Sequence, residues 1–250
     1  MTSARNRFSF LAASALVSIL MAGTLTGAGA TGFQKAYFGA TKPGTWAKYT
    51  MTVDAKTESV CTSSRLPDEK GRARVRVRTD FTSGAFQGTW SLSDYTLKAG
   101  YSVENDALDY GKATESLTMR SKTATKPLKM KPDMLKAMLK QMPDYASTAV
   151  FVSTETVSGK ACDHYKYSQK HPGSPEQIET GELWLSDTVP FGLVRHRAVF
   201  KEPSGKVVTE YEMNLMESGT GAAPEPKTNR PAPASKSPRS PTPAKKSASR

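Results

Sequence analysis

The strongest constraint in this chain is an alternation of apolar and polar residues with period two, repeated along its middle. From Val207 to Met216, Val207, Tyr211, Met213 and Leu215 fall on odd positions, with Glu210, Glu212 and Asn214 between them. Tyr49, Met51 and Val53 alternate with Lys48, Thr50 and Thr52. Val75 and Val77 alternate with Arg72, Arg74, Arg76 and Arg78, and Phe86, Trp90 and Leu92 with Gln87, Thr89 and Ser91. Val194, Ala198 and Phe200 share a face opposite Arg195 and Arg197. Successive side chains of a strand point to opposite faces, so each segment buries one face and wets the other, or lines a cavity. Turn signals punctuate the runs: Asp68-Glu69-Lys70-Gly71, Ser83-Gly84, Ser158-Gly159-Lys160 and Pro203-Ser204-Gly205. Short turns join antiparallel neighbours, and the pattern predicts roughly nine to eleven strands.

One segment departs from the pattern. Pro132 to Met142 places Met134, Leu135, Met138, Leu139 and Met142 on one side and Lys136 and Lys140 elsewhere. That spacing predicts an amphipathic helix, with Pro132 in its first turn and Pro143 as its stop. A second short helix is expected around Phe33 to Phe38. The fold class is therefore mainly β (α+β): an open curved antiparallel β-sheet, or half-barrel, with one covering amphipathic helix.

The two ends read differently. Arg5 and Arg7 precede an uncharged apolar run, Phe8 to Gly23, and Ala28-Gly29-Ala30 offers small residues for cleavage. Residues 1–30 are expected to be a signal peptide leaving Thr31 first, with an uncleaved anchor as the alternative. Residues 219–250 are mainly Pro, Ala, Ser, Thr and Lys/Arg, a composition that cannot bury enough surface to order itself. Residues 31–218 remain as a single β-rich domain. This division explains the net charge of +12. Lys227, Arg230, Lys236, Arg239, Lys245, Lys246 and Arg250, less Glu225, put +6 in the tail; Arg5 and Arg7 add +2; the domain keeps +4. The excess is thus not the field of a basic globular domain, and export takes the chain away from nucleic acid.

Four groups of side chains invite chemistry. Met130, Met134, Met138 and Met142 recur every four residues, which suits core packing, an adaptable lid over an apolar ligand, or soft Cu(I) ligation. Cys61 and Cys162 form an even pair in an exported chain, so a disulfide is expected, two buried thiols being the alternative. His196 shares the apolar face of its strand and reads as a satisfied core histidine rather than a ligand alongside Cys162 and His164. Arg72, Arg74, Arg76 and Arg78 put four cations on one strand face, suited to anionic envelope polymers or lipid headgroups, or else to a solvated outer face. No HExxH, GxSxG or P-loop is present, and no catalytic set or cofactor site is expected.

Pro43-Gly44-Thr45-Trp46-Ala47-Lys48-Tyr49 resembles the first strand of many envelope proteins, and Glu182-Leu183-Trp184-Leu185-Ser186 followed by Val189-Pro190-Phe191-Gly192-Leu193-Val194-Arg195 resembles their late hairpin. On these residues the chain is similar to the periplasmic lipoprotein-carrier superfamily, the LolA/LolB-like proteins. The resemblance implies an unclosed β-barrel whose concave face holds acyl chains. The expected function is that of a non-catalytic, periplasmic or secreted binding protein for a lipid or acyl chain, with peripheral membrane contact. Trp46, Phe86, Trp90, Met134, Met138 and Trp184 are the candidate lining. Arg72, Arg74, Arg76, Arg78, Lys245 and Lys246 are the candidate polyanion contacts. The alternative is a filled scaffold whose basic tail does the binding.

Overall fold

The structure is a computed structural model that describes residues 41–99, 113–124, 126–141, 145–172 and 174–223. The expected signal peptide, the helix near Phe33, Met142 and the tail from residue 224, with Lys245 and Lys246, lie outside the described residues. Eleven strands form one antiparallel sheet: β1 (Thr45–Val53), β2 (Lys56–Glu69), β3 (Arg72–Phe81), β4 (Trp90–Leu97), β5 (Thr114–Ser121), β6 (Leu128–Lys129), β7 (Val150–Val157), β8 (Lys160–His171), β9 (Ser174–Leu185), β10 (Leu193–Lys201) and β11 (Val207–Thr220). β11 continues past the expected boundary at Ser218.

The spatial order is β6-β5-β4-β3-β2-β1-β11-β10-β9-β8-β7. Two meanders therefore meet at the β1–β11 pair. Two-residue turns make this possible. Asp54-Ala55, Lys70-Gly71 and Ser158-Gly159 all have positive φ at both positions, the backbone whose twist matches that of the flanking strands. Ala55 takes this conformation (φ 63°) without being glycine. Asp54 anchors that turn, accepting hydrogen bonds from Thr209 Oγ1 at 3.0 Å and the Glu210 N–H at 2.9 Å.

The sheet does not close on itself, because β6 and β7 are its two edges. The chain passes from one edge to the other through α1 (Pro132–Leu139) and the four-residue α2 (Tyr145–Thr148). α1 is shorter than the expected 132–142 helix; Lys140 and Gln141 follow it as a turn. Its backbone bonds close locally, Leu135 N–H to Lys131 O and Lys140 N–H to Lys136 O. Leu135, Leu139 and Tyr145 are buried in the same core cluster as Tyr49, Val75, Val77, Tyr95, Leu97, Leu117, Leu183 and Phe200. The connection between the edges thus covers the concave face.

The core face is set by parity on each strand. On β3, Ala73, Val75 and Val77 are buried while the arginines between them are half-exposed. On β9, Gln177, Glu179, Leu183 and Leu185 face inward. The expected disulfide is absent: Cys61 and Cys162 are both free and buried. Cys61 lies on β2 in the main core, and Cys162 on β8 in a second cluster with Trp184, Val189 and Val194. Four strands separate β2 from β8 in the sheet, so the redox argument gives way to geometry. Burial pushes the Cys61 thiol up to about 12.

Candidate functional site

The concave face carries a hydrogen-bonded cluster beneath α2, built by residues that alternate inward from four strands and by one residue of α2 itself. β8 supplies Tyr167 and His171, β9 supplies Glu179, β10 supplies His196, β11 supplies Tyr211, and α2 adds Tyr145. Glu179 and His196 have no solvent exposure at all. Tyr145 Oη donates to Glu179 Oε1 at 2.8 Å, and Tyr167 Oη donates to the same oxygen at 2.9 Å. His171 Nδ1 lies 3.3 Å from Glu179 Oε2. Tyr167 Oη is 2.6 Å from His196 Nε2, and Tyr211 Oη meets His196 Nδ1.

Physical chemistry fixes the protons. Burial by itself would raise the Glu179 carboxyl. The bond to His171, the nearby His196 and the two phenol donors outweigh that, and its pKa falls below the ordinary value. An ionised carboxylate only accepts. Tyr145 and Tyr167 must then give their protons to Glu179, so Tyr167 Oη accepts from His196 Nε2–H. His196 Nδ1 is left to accept from Tyr211. Burial pushes the His196 pKa down to about 3, against the attraction of Glu179. His196 is therefore neutral, a satisfied core histidine as its place in the sequence suggests. Burial, with the negative neighbour Glu179, raises the phenols of Tyr145 and Tyr211 well above the usual range; for Tyr167, burial and neighbouring Tyr211 lead.

Gly181 makes this geometry possible. It pairs with Tyr167 and Ala198 on the neighbouring strands. A Cβ there would stand 2.4 Å from Tyr167 Oη and 2.4 Å from Arg197 O. Only glycine lets the Tyr167 phenol cross β9 to reach Glu179 and His196.

The six residues expected to line a ligand are not brought together. Trp46 is buried on the face opposite Ala47 and Tyr49, its ring lying 3.0 Å from where a Cβ on Gly219 would stand. Phe86 sits in a 3-10 turn, not a strand, and is exposed. Trp90 shares the arginine face of the β3–β4 pair, with the Arg78 guanidinium 5.4 Å from its ring. Trp184 lies on the outer face between His164, stacked at 4.5 Å, and Arg195 at 5.3 Å. Its Nε1 donates to Glu155 Oε1 at 2.6 Å. Met134 is exposed on α1, and Met138 packs against the core. Facing inward together instead are tyrosines, aliphatics and the Glu179–His196 cluster.

The arginine stripe is engaged by its own sheet. Arg72 pairs with Glu115 at 2.8 Å, Arg74 with Glu69 at 2.9 Å, Arg76 with Asp94 at 2.6 Å and Arg78 with Asp80 at 2.9 Å. Each of the four cations thus holds a carboxylate of its own sheet. Two open clefts occur among the described residues. One of about 630 Å³ lies on the outer face around Thr52, Lys166, Glu182, Arg197 and Glu212; the other, about 590 Å³, lies between the β2–β3 turn and the start of α1.

No family model matches the chain, and neither does any curated protein. Among solved structures it is similar to MucB, with a TM-score of 0.39 at 14% identity, over 80% of this chain and 61% of MucB. It is similar to a DUF1329 family protein from Desulfovibrio piger, with a TM-score of 0.33 at 9% identity over 79% of this chain and 92% of that one. A LolA superfamily protein from Nitrosomonas europaea matches at a TM-score of 0.28 and 9% identity, over 78% and 94%.

Proposed function

We propose that this chain is a non-catalytic binding protein of the bacterial envelope that takes a hydrophobic ligand, an acyl chain, on the concave face of its open sheet. The observation that carries this reading is how that face is closed. Strand pairing does not seal it; the α1–α2 connection between the two edges does, through Leu135, Met138, Leu139 and Tyr145. Burying a large apolar side chain stabilises by about 1.5–3 kcal/mol, so four such residues contribute roughly 6–12 kcal/mol. A chain of about twelve methylenes gains a similar amount at about 0.8 kcal/mol each. A ligand can therefore take the place of the cover at little net cost, with the strand ladder left intact. Glu179 and His196 are sealed from solvent and His196 is neutral, which suits binding rather than turnover. Arg5, Arg7 and the apolar run after them support export.

Native mass spectrometry tests the proposal. Protein purified without detergent and then incubated with a bacterial lipid extract is expected to show added lipid mass. A single apo mass in both samples overturns it. That outcome favours a second reading, a filled scaffold, which the close packing of Tyr49, Tyr95 and Tyr145 in the interior supports.

A further inference from the structure

We infer that the cleft of about 590 Å³ between the β2–β3 turn and the start of α1 holds the anionic headgroup of an acyl ligand, with Lys70, Lys129 and Lys131 as its contacts. This rests on the acyl-chain reading above and specifies the ligand class for it. The three lysines come from two separate parts of the chain. Lys70 opens the two-residue β2–β3 turn, Lys129 ends β6, and Lys131 immediately precedes α1. The Lys129–Thr118 pair and the Met130 N–H bond to Leu117 O at 2.9 Å fix the second part on β5. The apolar lining of the cleft is Met130 and Leu135. Leu135 belongs to the buried core under α1, and Met130 packs against that core. The cleft therefore borders the face that α1 covers, and an acyl chain lying beneath α1 can leave its polar end in water among the lysines.

The charges around the cleft select the sign of that polar end. Its two acids are already engaged: Glu115 by Arg72 at 2.8 Å, and Glu69 by Arg74 at 2.9 Å. Lys70, Lys129 and Lys131 are exposed and form no ion pair among the described residues. Asp133, in the first turn of α1, offsets the positive end of that helix, so the lysines supply the field. The cleft on the outer face differs. Both of its cations hold carboxylates, Lys166 with Glu182 at 3.1 Å and Arg197 with Glu212 at 3.8 Å. A lysine ammonium is a point charge with three donors and no acceptor, so it meets a phosphate or carboxylate and repels a cation. One exposed pair contributes little, but three like charges lining one cleft act together and are weakened by salt.

Displacement of a fluorescent naphthylamine probe from the full chain compares dodecyl phosphate, dodecanol and dodecyltrimethylammonium, each below its micelle concentration. Dodecyl phosphate is expected to bind at least tenfold more tightly than dodecanol at low salt, and dodecyltrimethylammonium more weakly than either. The phosphate preference should shrink as salt is raised. Lys70→Gln, Lys129→Gln and Lys131→Gln combined, all at exposed positions, should reduce that preference below threefold and leave dodecanol binding within twofold. Lys166→Gln, at the other cleft, should leave the preference unchanged. Inorganic phosphate titrated by calorimetry should bind at least a hundredfold more weakly than dodecyl phosphate; equal affinity would mark a site for a free anion and overturn the headgroup assignment. Equal binding of phosphate and alcohol in the unmodified chain also overturns it and leaves the acyl-chain reading standing. So does a preference that survives the three lysine substitutions or is lost in Lys166→Gln, or tightest binding of dodecyltrimethylammonium. No binding of any of the three overturns both.

Discussion

Lowering the pH should destabilise this protein through a single histidine. His196 has a pKa of about 3 in the folded chain, against about 6.5 for an ordinary histidine. Its folded pKa is depressed, so between those values the unfolded chain takes up a proton that the folded chain refuses, and stability falls as pH falls. From pH 7.5 to pH 5 that linkage amounts to about 2 kcal/mol, approaching about 1.4 kcal/mol per unit at the acid end. Glu179, whose pKa is lowered, contributes stability above the ordinary carboxylate range and loses it only as pH falls further, below this window. Urea unfolding followed by tryptophan fluorescence at stepped pH measures the slope. His196→Gln keeps an amide donor and acceptor between Tyr167 and Tyr211 and cannot take up a proton. It should lower stability at pH 7.5 yet show about 2 kcal/mol less acid sensitivity over the window. Equal slopes for the two proteins would refute the neutral, doubly bonded His196.

Three further outcomes follow from the packing. Gly181→Ala places a Cβ 2.4 Å from the Arg197 carbonyl oxygen and should cost upward of about 3 kcal/mol in urea unfolding; a loss under about 1 kcal/mol would contradict the crossing of Tyr167 over β9. Glu155→Ala removes the carboxylate that Trp184 Nε1 and His164 Nδ1 share at 2.6 and 3.1 Å; it should cost about 1–3 kcal/mol and shift Trp184 emission, whereas Glu155→Gln should lose less than half as much. Ala55→Gly relieves a left-handed alanine in the β1–β2 turn and should stabilise by about 0.5–1 kcal/mol, seen as a rise in thermal midpoint.

Much of the sheet was legible because β-alternation and turn chemistry are local. Ser158-Gly159 and Lys70-Gly71 announce their hairpins, and Val207–Met216 reads as a strand that the structure also has. Which face turns inward was less legible. Trp90 and Leu92 alternate on even positions of β4, while Tyr95 and Leu97, on odd positions, are the ones buried. The phase changes within a single strand, and large aromatics drew the lining assignment to the outer face. Around Trp184, Leu183-Trp184-Leu185 is apolar on both faces because the outer face carries its own small cluster, so parity gave no direction there. The Glu179 cluster was missed because its members come from β8, β9, β10, β11 and α2. A trace of it exists in the sequence: Glu179 sits in phase with the apolar Leu183 and Leu185, where a carboxylate needs partners. The disulfide expectation rested on compartment, and compartment says nothing about which sheet face a cysteine occupies.

The proposed acyl-chain site is the concave face beneath the α1–α2 connection. Methyl-labelled protein mixed with dodecanol, examined by intermolecular NOE, addresses it directly. NOEs are expected from the alkyl chain to the inward methyls of Val75, Val77, Leu97 and Leu117, with none to Leu92 on the outer face. NOEs confined to outer-face methyls, or to the exposed Val150 and Val152 of the β7 edge, would contradict it.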